Sequence, residues 1–289
     1  MGRPYTSLND FLQRERQRLA PGPVAILFVE DEVEIGSTLR HLLARGFDPV
    51  LALAPPELEL PPGPDDRVCR IDCDTGAPDA LPEAVNRLIA AAPGTWFHYC
   101  FNAEYLFHPF SETRSVREML SFHAEERRDA MITFVIDLYA ADLAADPTGV
   151  ARDAWLDGTG YYALARTDPE TGWPRERQLD FFGGLRRRYE DFVPELHRRI
   201  DRVSLFRARP GLELLPDHRF NDQEYNTYAC PWHHNLTAAV CSFRAAKALK
   251  RNPRSSETIE SFRWRSSVPF DWQSRQLLDL GLMEPGQWF

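Results

Sequence analysis

The sequence predicts an α/β fold: a doubly wound, mostly parallel sheet flanked by helices, with a helical C-terminal extension. Two observations carry that prediction. Short runs of β-forming residues at 24–29, 50–53, 67–72 and 96–101 alternate with helical patterns, and alternation of that kind builds parallel sheets. The runs VAILFV and WFHYCF are also apolar on both faces, as strands in the middle of such a sheet are.

The chain begins with an amphipathic stretch at 7–19, with Leu8, Phe11, Leu12 and Leu19 set among arginines, closed by Pro21-Gly22-Pro23. Such an arm packs back on its own domain, or gives peripheral contact with an anionic membrane or a partner subunit. The first strand, 24–29, ends in the acidic turn Glu30-Asp31-Glu32. A helix follows, with Ile35, Leu39, Leu42 and Leu43 on one face and Gly46 at its end. Strand 50–53 completes a right-handed crossover unit. A proline-rich loop at 55–64 leads to strand 67–72, and a helix at 82–91 returns the chain to strand 96–101. There Asn102 and Glu104 stand where open α/β sheets place their ligands, outside a strand's carboxyl end.

Further on we expect a helix at 116–128, a strand at 131–139 and an irregular excursion at 140–177. A helical segment at 185–199, a strand at 203–207, a long helix from 234 to 249 and an apolar stretch at 277–282 follow. The expected organisation is an arm at 1–23, one domain at 24–250 and an extension at 251–289 packed upon it. The length of 289 residues suits that arrangement.

A net charge of −9 argues against a nucleic-acid surface. Only Lys247 and Lys250 among 34 basic residues are lysines, which we read as compositional bias. Five cysteines without metal-finger spacing fit a reducing compartment, and no membrane span or signal peptide is recognisable, so a cytoplasmic protein is expected.

Two family resemblances follow from these motifs. The stretch from Ile26 to Ala52 is similar to the opening of bacterial response-regulator receiver domains, which would make Asp72 or Asp74 a phosphoryl acceptor. The lysine that pattern needs after its fifth strand is missing, since none precedes Lys247. A second resemblance covers residues 24–250. Glu30-Asp31, His41, Gly46-Phe47-Asp48, the run from Phe101 to Leu106 with Pro109, and Phe182-Gly183-Gly184-Leu185-Arg186-Arg187-Arg188 are similar, in order, to motifs of bacterial family 2 glycosyltransferases. The strand at 202–207, His218 after Pro210-Gly211, and His233-His234-Asn235 extend the likeness.

That resemblance implies a GT-A, Rossmann-like fold. It also implies hexosyl transfer from a nucleotide sugar donor to a glycan or lipid-linked acceptor in surface polysaccharide synthesis, at the inner face of a membrane. By the same resemblance Glu30, Asp31, Asn102, Gly183, Gly184, Arg186 and Arg188 contact the nucleotide sugar. Asn102, Glu104, His218 and His234 hold Mn2+ or Mg2+. Asp180, Asp222 and Glu224 are candidate bases for the acceptor hydroxyl. Each of these acids and histidines also fits a structural role. The family's Asp-x-Asp is here Asn102-x-Glu104, one amide and one carboxylate. Weakened metal binding, substitution by Arg186–Arg188, or a non-catalytic glycan- or nucleotide-binding descendant all remain open.

Overall fold

The computed structural model describes residues 4–20, 22–61, 66–228 and 235–288. In chain order it contains α1 (Leu8–Glu15), β1 (Val24–Phe28), α2 (Ile35–Arg45), β2 (Val50–Ala54), β3 (Val68–Asp72), α3 (Ala80–Ala91), β4 (Trp96–Phe101), β5 (Glu104–Phe107) and α4 (Val116–Glu125). There follow β6 (Ala130–Tyr139), β7 (Trp155–Asp157), β8 (Tyr162–Thr167), β9 (Pro174–Phe182), α5 (Gly184–Arg188) and β10 (Asp201–Arg207). The chain continues through β11 (Ala238–Ser242), α6 (Arg244–Arg251), α7 (Pro253–Thr258), β12 (Ser267–Pro269) and α8 (Ser274–Asp279). A mixed, mostly parallel sheet flanked by helices, with a helical C-terminal segment, makes this a Rossmann-like α/β fold.

The chain divides into two compact units. The first takes the described residues up to Leu106 together with Arg114–Met131 and Val203–Asn226. The second takes Phe107–Thr113, Ile132–Arg202 and the described residues from Thr227 onward. The chain passes from one unit to the other after residues 106, 113, 131, 202 and 226, and none of these breaks coincides with residue 23 or 250.

In the first unit the strand order is β3-β2-β1-β4-β10. The first four are parallel, and β10 runs antiparallel to β4. All five residues of β1 and of β2 are buried, which explains their unbroken apolar character. Gly46 ends α2 as expected: at φ 94° its N–H reaches back to the carbonyls of Leu42 and Leu43. A capping box between Ser115 and Glu118 starts α4. The N-terminal arm packs on its own unit. Leu8, Phe11 and Leu19 are buried, Tyr5 bonds β3 at Arg70 and Asp72, and the Tyr5 and Phe11 rings meet edge to face.

In the second unit β7 lies antiparallel between β6 and β12, and β11 runs parallel to β6. Thr133 and Val135 of β6 also bond the carbonyls of Arg202 and Ile200. Three sequence expectations change here. The excursion at 140–177 holds β7, β8 and the start of β9. The helix expected from 234 is a buried strand, β11, before α6 begins at Arg244; ladder pairing overrides the helix preference of its alanines. The helix expected at 185–199 lasts only to Arg188 and gives way to single turns at Glu190–Phe192 and Glu195–His197 around Pro194. The unit's core clusters Tyr139, Leu143, Leu185, Leu249, Ile259 and Phe262.

His123 of α4 is buried. Its Nε2 lies 2.9 Å from the Ala130 carbonyl, and its ring lies 6.1 Å from that of Trp96. Burial pushes its pKa down to about 4 from 6.5, against the raising effect of that hydrogen bond. The unfolded chain therefore takes up a proton that the folded chain refuses. Stability from this group is complete above 6.5 and falls as pH drops toward 4, by at most about 1.4 kcal/mol per pH unit. Urea midpoints at about pH 7 and about pH 5 should separate less in His123→Gln than in the unaltered chain. An unchanged separation would refute the assignment.

Candidate functional site

In the first unit, successive strands are added on one side of β1 up to β3, after which the chain returns to the other side as β4. The carboxyl ends of β1 and β4 therefore flank a topological switch point, the position at which open α/β sheets bind ligands. Glu30 and Asp31 leave one side of it and Asn102 the other, as the sequence placed them.

Asn102 is fully buried and bridges the two strand ends. Its Oδ1 accepts the Glu30 N–H at 2.8 Å. Its Nδ2 lies 3.1 Å from the Asp31 carbonyl, 2.7 Å from Asp31 Oδ1 and 2.8 Å from the Val33 carbonyl. Next to it Ala103 holds φ 63°, a left-handed conformation uncommon for alanine, and gives its N–H to Thr38 Oγ1 at 2.9 Å. Glu104 is buried as well, and its Oε2 accepts the Phe101 N–H at 3.0 Å. His218, at φ 65°, stacks on Tyr99 with ring centres 5.8 Å apart, and its Nδ1 lies 3.1 Å from the Tyr99 hydroxyl. His234 lies outside the described residues. Among the described residues no three His, Cys, Asp or Glu side chains are grouped to hold a metal ion. Asn102 and Glu104 do not fit a divalent cation, because the amide oxygen is turned onto a backbone N–H and both side chains are shut from solvent.

An open groove of about 660 Å³ lies between the connections that follow β1 and β2, lined by Glu32, Glu34, Ser37, Arg40, Glu57 and Glu59 among others but not by Glu30, Asp31 or Asn102. Glu34 bonds Ser37 and also lies 3.1 Å from the Tyr105 hydroxyl, which lies 2.8 Å from Ser37 Oγ. Asp222 is paired with Arg209, and its Oδ1 accepts the Glu224 N–H at 2.9 Å; Glu224 is exposed. In the described part of 218–235 the buried residues are Phe220, Tyr225, Asn226 and Thr227, while Asn221, Gln223 and Glu224 are exposed. Asn226 exchanges two hydrogen bonds with the Phe220 backbone, and Phe220 packs between Phe206 and Tyr225.

The second unit brings together Gly183, Gly184, Arg186 and Arg188. Arg186 gives its backbone N–H and its Nε to the buried Asp137, at 3.1 and 3.0 Å. Arg188 meets Asp157 through two nitrogens at 2.8 and 3.1 Å, and its guanidinium lies 5.6 Å or less from the ring centres of Tyr139, Tyr189 and Trp264. Tyr139 and Trp264 also donate to Asp157 Oδ1, at 2.6 and 2.8 Å. Burial raises the Asp137 pKa, opposed by Arg186. The Tyr161 hydroxyl is shut from solvent and has no hydrogen-bond partner among the described residues. Burial holds its pKa well above 10, and the charges of Asp157 and Asp137 add to the rise. Gly183 lies against its ring: a Cβ there would stand 2.1 Å from Tyr161 Cδ1. A Cβ on Gly184, at φ 65°, would stand 2.8 Å from Asp137 Oδ2.

Asp180 is tied into a separate ion-pair network, 2.9 Å from the Arg166 guanidinium and 3.3 Å from that of Arg199, with Asp201 on the same two arginines. Sequence reasoning missed Asp137, Tyr139, Asp157, Tyr161 and Trp264. One signal was available: Asp137 is a lone acid inside a ten-residue apolar strand, and a charge buried there must be paired.

Two expectations about substitutions follow. Asn102→Asp keeps the oxygen and loses the donor that holds Asp31 and Val33, so it should destabilise the fold by about 2–4 kcal/mol in a urea melt without creating manganese affinity. Tight manganese binding by that variant would overturn the structural role. Gly183→Ala should cost more than about 2 kcal/mol, and Tyr161→Ala in the same chain should recover part of it. Additive losses would show that the two do not touch.

No protein-family model matches this chain, and no curated protein matches it either.

Proposed function

We propose that the chain is a nucleotide-sugar-binding protein of the GT-A type, acting as a glycosyltransferase on a glycan or lipid-linked acceptor. The observation that supports this most is the switch point between β1 and β4, flanked by Glu30, Asp31 and Asn102, together with a groove of about 660 Å³ between the connections that follow β1 and β2. The order β3-β2-β1-β4 also speaks against the receiver reading, because receivers place their third strand next to the first.

In this reading the carboxylates of the groove accept hydroxyls of ribose or sugar. Four glutamates and one arginine line it, so a diphosphate needs a positive group supplied with it. Arg186 and Arg188 are already neutralised by Asp137 and Asp157 and do not serve as free phosphate clamps. Asn102 and Glu104, buried and bonded to backbone N–H groups, are poorly suited to a metal in this reading. A second reading, binding without turnover, is favoured by that same pair, which lacks the two carboxylates of the family motif.

Thermal melts against UDP-, GDP- and CDP-sugars, each with and without manganese, test the proposal. A ligand at about 100 times its dissociation constant adds roughly 2.7 kcal/mol, a shift of a few degrees. One nucleotide sugar should give that shift and lose it in Glu34→Gln. Transfer or hydrolysis of that donor distinguishes the enzyme from the non-catalytic binder. No shift with any donor would refute both readings.

A further inference from the structure

In the second unit Tyr161 is held by packing alone. Among the described residues Thr159, Gly160 and Tyr161 take part in no hydrogen bond, through backbone or side chain. The Tyr161 hydroxyl is nonetheless shut from solvent, close enough to Asp137 and Asp157 to feel both charges. A buried hydroxyl without a partner is a cost carried by the conformation that buries it. The segment also has the means to swing outward: Gly158 and Gly160 flank Thr159, Gly160 holds φ 97°, and Thr159 and Gly160 are exposed.

The ground beneath the ring suits a ligand. Strands β6 and β11 run parallel, and Asp137 stands opposite Ser242, the last residue of β11, at the carboxyl end where α/β sheets bind ligands. The Tyr161 ring lies directly on the Gly183 backbone, and Gly184 stands bare beside Asp137. Asp157 is saturated, because Tyr139, Trp264 and two nitrogens of Arg188 fill its roughly four acceptor positions. Asp137 takes two hydrogen bonds, both from Arg186, and keeps about two positions for an incoming donor.

We propose that Tyr161 is a removable plug, and that the space it fills is the seat of a hexopyranose ring, packed on Gly183 with a ring hydroxyl donated to Asp137. The phenol is a six-membered ring with one hydroxyl, fixed in the ring plane, and that hydroxyl finds no acceptor. A hexose is a six-membered ring with hydroxyls around its rim, so one of them can reach the open positions of Asp137. The inference deepens the sugar-transfer reading above and rests on it for the choice of a sugar over another hydroxyl-bearing ring. Because the plug must leave before the sugar enters, any substitution that shifts the plugged population changes the apparent affinity by the same factor.

Calorimetry of the full chain with free glucose, galactose and mannose tests this, with mannitol as the acyclic control. At least one hexose should bind Tyr161→Ala at least about tenfold tighter than the unaltered chain, since no plug then competes. Tyr161→Phe keeps the ring and removes the unpartnered hydroxyl, so it should melt no lower than the unaltered chain and bind the same hexose about threefold or more weakly. p-Cresol, the tyrosine side chain as a free molecule, should displace the hexose from Tyr161→Ala, and mannitol should not bind. Equal affinity in all three chains, a hexose that p-cresol does not displace, or a folded Tyr161→Ala chain that binds no hexose would each overturn the proposal. If Tyr161→Ala does not fold, the comparison of Tyr161→Phe with the unaltered chain decides. The donor reading is judged separately. A nucleotide sugar that shifts the melt while residue 161 leaves hexose affinity unchanged sinks the plug alone, and hexose binding governed by residue 161 with no nucleotide-sugar shift sinks the donor reading alone.

Discussion

One primary amide holds the carboxyl edge of the first unit's sheet. Asn102 accepts from one backbone N–H and faces three acceptors, the carbonyls of Asp31 and Val33 and the Asp31 carboxylate. Only a group with both a carbonyl and an N–H2 can do this. An ionised aspartate at the same place would leave three acceptors without a donor and set two carboxylates together in a buried site. The departure from Asp-x-Asp thus has a physical reading: the residue binds the turn after β1 to the end of β4, and that task excludes the coordination chemistry of an acidic pair. The left-handed Ala103 belongs to the same device, since its N–H is held by Thr38, whose hydroxyl in turn bonds the Glu34 carbonyl at 2.7 Å at the start of α2.

The second unit rests on a different solution to the same problem of buried polarity. Asp137 and Asp157 are both about 1% exposed, and each faces an arginine from the short helix that follows Gly183-Gly184. Removing one member of such a pair leaves an unpaired buried charge, at about 3–5 kcal/mol. The glycines are needed because α5 must begin flush against its acids. Gly184 turns the chain at positive φ directly over Asp137, and Gly183 leaves room for the Tyr161 ring. The motif Gly-Gly-x-Arg-x-Arg is in this chain a device for seating two guanidinium groups on two interior carboxylates.

Which of this was legible depended on burial. Strands β1 and β2, sealed on both faces, appear in the sequence as unbroken apolar runs, and α2 is readable because Gly46 caps it. The hairpin β8–β9 was not, since all of β8 except Arg166 is exposed and no in–out alternation arises. β11 was hidden for the opposite reason: Ala-Ala-Val-Cys-Ser favours a helix until a neighbouring ladder exists to bury it. At the sites, Glu30, Asp31 and Asn102 could each be placed at the end of a strand from the sequence, but that β1 and β4 are neighbours is visible only in the structure, and Gly183 to Arg188 stood out by local composition. Asp157 and Trp264, 107 positions apart, carry no local sign of their contact.

The scarcity of lysine acquires a structural meaning at these positions, beyond the compositional bias read from the sequence. Arg166 uses three nitrogens of one guanidinium to serve two aspartates, a glutamine and a backbone carbonyl. Arg188 binds Asp157 through two nitrogens, caps the Phe262 carbonyl at 2.7 Å and lies within 5.6 Å of three aromatic ring centres. Arg70 reaches the carbonyls of Pro55, Pro56 and Leu58 while pairing with Asp72. A lysine has a point charge, no planar fork and no stacking face, so it could meet only part of each set and would lose more hydration on burial. Wherever arginine performs several of these contacts at once, replacing it by lysine removes hydrogen bonds that nothing nearby can restore. The charge of these arginines is already spent on interior partners, and this is why they do not count among the groups that could receive a phosphate.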